Sequence, residues 1–181
     1  MKAKIKTYFS ICLVFMLVMG FSGVADAASY KVISDKTGVV FFAKLIRFVS
    51  TLQGKPIKVG IVYDSVNSSS VSSMKQVKAG LGAYGYETFP VPQNAVGNAP
   101  SYGINVFYFA KGSNAAEAAW VANASHIFTF TTNVREIQSK SASLCVINYK
   151  GKNRIVASQT ALSQQGHSLS SGILRYVSML P

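Results

Sequence analysis

Residues 56–92, PIKVGIVYDSVNSSSVSSMKQVKAGLGAYGYETFPVP, leave little freedom in what this chain can fold into. Ile57, Val59, Ile61 and Tyr63, with Val62 beside them, form a short β-branched run between Pro56 and Asp64, the composition of a buried strand. The polar stretch Asp64 to Ser70 follows. Val71, Met74, Val77, Leu81 and Tyr84 then recur at helical spacing, with Lys75 and Lys78 off that face, and Gly85 stands where a helix stops. Tyr86 to Val91 returns to an extended pattern. Strand, loop, helix and strand make a βαβ unit, whose crossover is expected to be right-handed. Ligands of such units meet the carboxyl ends of the strands, which here means Asp64 to Ser70.

At the start of the chain Lys2, Lys4 and Lys6 precede an uncharged apolar run, Tyr8 to Val24, and Ala25-Asp26-Ala27 supplies the small residues that a signal peptidase reads. The expectation is a signal peptide over residues 1–27 and a mature chain that starts at Ala28, with a retained membrane anchor as the alternative. Residues 28–181 suit one domain with its own core. The sequence carries a formal net charge of +12. A basic exported domain favours anionic lipid, acidic polysaccharide or a phosphorylated ligand, or is simply kept soluble by its charge. Lys150, Lys152 and Arg154 form the densest basic cluster, and its place in a turn argues against a nucleic-acid partner. Cys12 leaves with the leader. Cys145 remains alone in an apolar run, so it is expected to be buried and unreactive.

Asp35 to Gln53 reads as the first helix, capped by Asp35 and ended by Gly54 and Pro56. Lys44, Arg47 and Thr51 make a narrow polar stripe, while Val39, Phe41, Phe42, Leu45, Ile46, Phe48, Val49 and Leu52 cover the remaining circumference. Such a helix is buried on more than one side, between the sheet and a C-terminal helix or against another protein. Gln93 to Gly103 lacks periodicity and reads as a loop. A strand over Ile104 to Phe109 is followed by Ser113 as cap and a helix over Asn114 to Asn123. His126 to Phe130 reads as a strand, and Thr131 to Ser141 as a polar or helical passage. Ser143 to Tyr149 and Arg154 to Ser158, joined through Lys150-Gly151-Lys152-Asn153, read as an antiparallel hairpin. Leu169 to Leu180, capped by Ser168, reads as a terminal helix with Ile173, Leu174, Val177 and Leu180 on one face. The predicted fold class is α/β: a three-layer sandwich with a mostly parallel, flavodoxin-like sheet, a C-terminal β-hairpin and a terminal helix.

The residues of catalysis are dispersed. Asp35, Asp64, Glu87, Glu117 and Glu136 fall one to an element, and no pair has the spacing of a glycosidase. His126 and His167 stand far apart without other metal-ligating residues near them, so no metal or cofactor is expected. Ser72-Ser73-Met74-Lys75 matches S-x-x-K and Lys36-Thr37-Gly38 matches K-T-G, the motifs of serine β-lactamases and penicillin-binding proteins. Their order is reversed, and the second sits at a helix start rather than on a strand. A binding module is expected, not an enzyme.

Two resemblances sharpen that expectation. Tyr149 to Leu180 resembles the end of the YfiR-like family of exported proteins at Gly151, Arg154, Ala161, Gly166, Ser170, Ser171, Leu174 and Arg175. Phe42-Ala43-Lys44, Phe48-Val49 and the strand Ile57 to Asp64 resemble that family's opening, with Leu52-Gln53-Gly54 where it has Trp-Pro. The resemblance implies a periplasmic, non-catalytic regulator that binds the outer portion of a membrane-bound signalling protein such as a diguanylate cyclase. Phe41, Lys44, Arg47, Phe48, Ser170, Ser171 and Arg175 are then the expected partner-binding residues. The second resemblance is local: Lys58-Val59-Gly60-Ile61-Val62-Tyr63-Asp64-Ser65 is similar to the opening of one lobe in ABC-transporter substrate-binding proteins. It implies a single-lobe binder of a solute or cell-envelope ligand. For a small polar or anionic ligand the expected contacts are Asp64, Ser65, Asn67 and Ser68 with Thr132 and Asn133. Self-association is left open.

Overall fold

The computed structural model describes residues 30, 31 and 33–181. The expected leader over residues 1–27, with Cys12, lies outside the described residues. The elements in chain order are β1 (Tyr30–Lys31), α1 (Asp35–Leu45), β2 (Lys58–Tyr63), α2 (Ser68–Ala83), β3 (Glu87–Pro92), β4 (Val106–Phe109), α3 (Ala116–Ser125), β5 (Phe128–Thr131), α4 (Val134–Gln138), β6 (Leu144–Tyr149), β7 (Lys152–Ser158), α5 (Gln159–Gln164), α6 (Ser171–Leu174) and β8 (Val177–Leu180). The strands form one sheet in the order β3-β2-β4-β5-β6-β7-β8, and β1 adds to the edge of β6. Strands β2 to β6 are mutually parallel, β7 returns antiparallel to β6, and β8 runs parallel to β7. The order within β2 to β6 is that of a flavodoxin-like sheet, as expected. Its direction of winding reverses between β2 and β4, the position at which sheets of this class place a crevice at their carboxyl ends.

Alternation along the strands divides the core in two. Val59, Ile61, Val106, Tyr108, Phe128, Phe130, Leu144 and Val146 face α1 and α2, packing on Phe42, Leu45, Met74, Val77 and Leu81. Val62, Phe107, Phe109, Cys145 and Ile147 face the opposite layer, packing on Ala118, Val121, Ala122 and Ile137. Both faces of the central strands are covered, which is why they read as near-continuous apolar runs. Phe42 lies at the centre of the first layer and meets Tyr86, Tyr108 and Phe130 edge-on at centroid distances of 5.3 to 5.7 Å. Among the described residues no helix is long and apolar enough to cross a membrane.

Several elements differ from the sequence reading. The helix expected over Asp35 to Gln53 ends at Leu45 and continues as two 3-10 turns, Ile46–Phe48 and Ser50–Leu52, separated by extended Val49. Val49 bridges to Leu169, Ser50 N donates to Ser168 O and Ser170 N donates to Phe48 O, so tertiary backbone bonds replace the next helical turn. Its cap is Ser34, whose hydroxyl accepts from Thr37 N, rather than Asp35. Residues 93–102, expected as a loop, form a 3-10 helix, with Val96 and Ala99 buried three residues apart as that period requires. The cap of α3 is at Ala115 without a side-chain bond, while Ser113 turns back to Ala110 O. The terminal helix is reduced to the single turn α6, and Val177–Leu180 is a strand, because the outer edge of β7 takes it as its partner. Before that segment the chain forms α5, an element the sequence reading did not assign, capped by Ser158, whose hydroxyl accepts from Ala161 N. Cys145 is fully buried, and burial pushes its thiol well above the ordinary range.

Candidate functional site

At the carboxyl edge β5 pairs with β6 only at Leu144 and Cys145, whereas β1 pairs with β6 at Asn148 and Tyr149. The interval between these two partners leaves one edge of β6 uncovered near Ile147. A cleft of about 620 Å³ opens there. Ile147 belongs to its lining with Tyr30 and Lys31 of β1, and Tyr30 is fixed by a ring contact with Tyr149 at 5.2 Å. The loop after β4 contributes Lys111 and Gly112. The passage after β5 contributes Thr132, Asn133, Val134, Arg135 and Gln138. The size falls within the range of small-molecule pockets.

The cleft carries positive charge. Among the described residues Lys31, Lys111 and Arg135 line it and no carboxylate does. Lys111 Nζ lies 3.4 Å from Asp35 Oδ1, and Asp35 also accepts from Ser73 Oγ at 3.0 Å, so the nearly buried Asp35 offsets one cation. Among the described residues Lys31 and Arg135 form no ion pair. Asn133 caps α4 by accepting from Arg135 N, and its amide donates to Glu136 Oε1. Thr131 Oγ1 donates to the other oxygen of Glu136 and accepts from Asn133 N. Burial raises the Glu136 carboxyl to about 7 against these two hydrogen bonds, which lower it. A carboxyl that titrates near neutrality thus sits directly behind the cleft wall.

The six ligand residues expected from the sequence separate into two groups. Thr132 and Asn133 line the cleft. Asp64, Ser65, Asn67 and Ser68 do not; Asp64 Oδ1 accepts from Val66 N, and Asn67 caps α2 by accepting from Ser69 N and Ser70 N. The two groups are joined by the β4 loop, where a Cβ placed on Gly112 would lie 2.9 Å from Asn67 Nδ2. Lys111 and Gly112 were legible by the same carboxyl-end rule applied to the strand ending at Phe109. Tyr30, Lys31 and Arg135 carried no such signal, since the pairing of β1 with β6 brings in the first two.

Of the expected partner-binding residues, Phe48 and Ser170 meet. Ser170 is hydrogen-bonded to Phe48, and a Cβ on Gly172 would meet the Phe48 ring at 4.0 Å, so the end of α1 and the turn α6 form a joint surface. Arg47 lies over the Phe48 ring at 5.1 Å and Arg175 over Tyr176 at 4.8 Å. Lys44, Arg47, Ser171 and Arg175 are exposed, while Phe41, Phe48 and Ser170 are half-buried. Lys36-Thr37-Gly38 lies in the first turns of α1 and Ser72 to Lys75 in α2, so the penicillin-binding-protein motifs sit on helices rather than in an active-site arrangement.

No protein-family model matches this sequence, and no curated protein matches it. Solved structures match in fold. A conserved domain protein from Vibrio cholerae superimposes with a TM-score of 0.62 at 14% identity, over 80% of this chain and 59% of its own. An ABC domain from Streptococcus pneumoniae in complex with L-Trp gives 0.60 at 10% identity, covering 81% and 62%. A substrate binding protein with adhesive properties from Clostridium difficile, in its ligand-free, open form, gives 0.63 at 14% identity, covering 82% and 60%. The chain therefore spans about three-fifths of the length of each of these structures. At such identities the shared property is the fold, an α/β domain like those of substrate-binding proteins.

Proposed function

We propose that this chain is a non-catalytic binding module that holds a small polar or anionic solute in the cleft between β1 and the loops after β4 and β5. The single observation that carries the reading is the cleft: about 620 Å³, at the carboxyl edge of a parallel sheet, with three cations and no carboxylate in its lining. Arg135 and Lys31 supply charge-assisted hydrogen bonds to an acid group, Asn133 and Gln138 supply amides, and Tyr30, Val134 and Ile147 supply an apolar wall. Among the described residues the lining has no histidine, cysteine or carboxylate to act as a base or nucleophile. The fold of substrate-binding proteins supports the same reading, and the leader-like N-terminus supports an extracytoplasmic location.

Thermal unfolding against a panel of small carboxylates, phosphorylated metabolites and their neutral isosteres tests it. At least one anionic member is expected to raise Tm more than its neutral isostere. Arg135→Ala and Lys31→Ala should each weaken that ligand by about tenfold, consistent with loss of a charge-assisted bond. A panel without any stabilising member, on a folded protein, removes the cleft as a ligand site.

A second reading, regulation of a membrane-bound signalling protein such as a diguanylate cyclase, draws support from the meeting of Phe48 with Ser170 and the turn α6. Cross-linking in the native envelope should then recover a membrane protein, and deletion should change cyclic-di-GMP. Failure of both would end that reading.

A further inference from the structure

Carboxylates are distributed unevenly along this chain. Residues 137–181 contain Lys140, Lys150, Lys152, Arg154 and Arg175 and neither aspartate nor glutamate. That segment forms β6, β7, α6 and β8, so one end of the sheet holds cations without acidic side chains of its own. The carboxylates of residues 30–136 are committed elsewhere: Asp35 pairs with Lys111, Glu87 with Lys58, and Glu136 is buried beside the cleft. Asp64 follows β2, and Glu117 lies on α3 in the opposite layer.

The same end of the sheet exposes apolar side chains. Leu174 and Tyr176 are 45% and 59% exposed two residues apart, and Met179, 42% exposed, lies on the other face of β8 by strand alternation. Arg175 lies over the Tyr176 ring, and extending the β7–β8 register by one residue sets Arg154 beside Tyr176. The two sheet edges are treated differently. Strand β3 carries Pro90 and Pro92, which blunt it against further pairing, whereas β8 has no proline between Val177 and Leu180.

We propose that α6 and β8, with Arg154 and the β6–β7 turn, form a docking surface for an anionic lipid layer. Exposed aliphatic and aromatic side chains interleaved with arginines suit the headgroup boundary, where the apolar parts enter the acyl region and the guanidinium groups meet phosphate. Two-fold pairing of this surface with itself does not fit, because it would set like charges against each other without an aspartate or glutamate between them. The inference is independent of the cleft and leaves the solute-binding reading where it stood, whereas it takes α6 and Arg175, the surface that the second reading gives to a membrane protein, and so competes with that reading.

Flotation of the protein, recovered after export from its own cells, on vesicles of phosphatidylcholine with or without about one-third phosphatidylglycerol tests the proposal. Partition onto the anionic vesicles should exceed that onto neutral ones by about tenfold or more, and should fall as salt rises from about 50 to about 300 mM. Arg154→Glu with Arg175→Glu should reduce it by about tenfold or more, and Leu174→Ser with Tyr176→Ser should reduce what remains at high salt. Lys75→Glu with Lys78→Glu, the same charge change on the exposed face of α2, should change it by about twofold at most. In a Trp120→Phe background, Tyr176→Trp should shift its fluorescence to the blue on anionic vesicles. Equal binding to both vesicles, equal loss in the α2 pair, or an unshifted Tyr176→Trp spectrum overturns the proposal. Retention on immobilised polyglutamate without vesicle binding also overturns it and assigns the surface to an acidic protein.

Discussion

Gly38 sets how closely α1 approaches the sheet. A Cβ there would lie 2.4 Å from Tyr108 Oη and 2.7 Å from Thr132 Cγ2, so the helix and the cleft passage after β5 meet at a position only glycine fills. Gly38→Ala is expected to destabilise by about 1–2 kcal/mol, overpacking outweighing the better helix propensity of alanine. The buried Tyr108 hydroxyl has no hydrogen-bond partner among the described residues, and burial with the nearby Asp35 raises its pKa far above the ordinary value. Tyr108→Phe should therefore cost less than about 1 kcal/mol and should reduce the penalty of Gly38→Ala, a coupling that a double-mutant cycle in urea reads directly. Glu136 makes the opposite kind of statement, about pH. Its folded pKa, raised from 4.5 to about 7, means that the stability present below 4.5 is lost as pH rises through 7. Glu136→Gln should thus gain about 3 kcal/mol relative to wild type between pH 4.5 and pH 8, measured by denaturant titration at each pH. His167, whose pKa burial lowers from 6.5, acts in reverse: its contribution is present above 6.5 and falls as pH drops below it.

Among the elements, α2 shows why ligand residues and capping residues are easily confused in a sequence. Asn67 lies at a carboxyl end, where ligands bind, and is also the residue that a helix start requires; its side chain is spent on Ser69 N and Ser70 N. Asn67→Ala is expected to lower stability by about 1 kcal/mol while leaving affinity for any cleft ligand unchanged, with calorimetry separating the two effects. The βαβ unit over residues 56–92 was legible because its strand period, helix period and terminating Gly85 all agree. The last segment was not. Ile173, Leu174, Val177 and Leu180 have helical spacing, yet β7 offers a row of unpaired backbone groups, and Ile155 to Ser158 pair with Val177 to Leu180 instead. The end of α1 yields in the same way to hydrogen bonds with residues 168–170, which lie more than a hundred positions away in sequence and leave no local mark.

For the whole molecule, two apolar layers on one sheet place the most protected backbone in β4 and β5, buried on both faces and flanked on both edges. Native-state hydrogen exchange should find their amides slowest, with β8 and β3 exchanging faster because each has an open edge. Faster exchange in β4 than in β8 would contradict this topology. The sequence by itself determined the fold class, the central βαβ unit, the hairpin and the burial of Cys145, and it pointed to the carboxyl edge, where the cleft lies. Each of these rests on signals carried by one element or by elements adjacent in sequence: apolar period, turn chemistry and charge. Only the tertiary structure decided that β1 adds to β6 and thereby closes one wall of the cleft. It alone placed Lys31, Lys111 and Arg135 around one space, tied Asp35 to Lys111, and drew the chain's end into the sheet. The reason is physical: strand partners and ion pairs are chosen by which backbone edges and charges remain unsatisfied once the rest has packed, and that balance is not written in any local stretch.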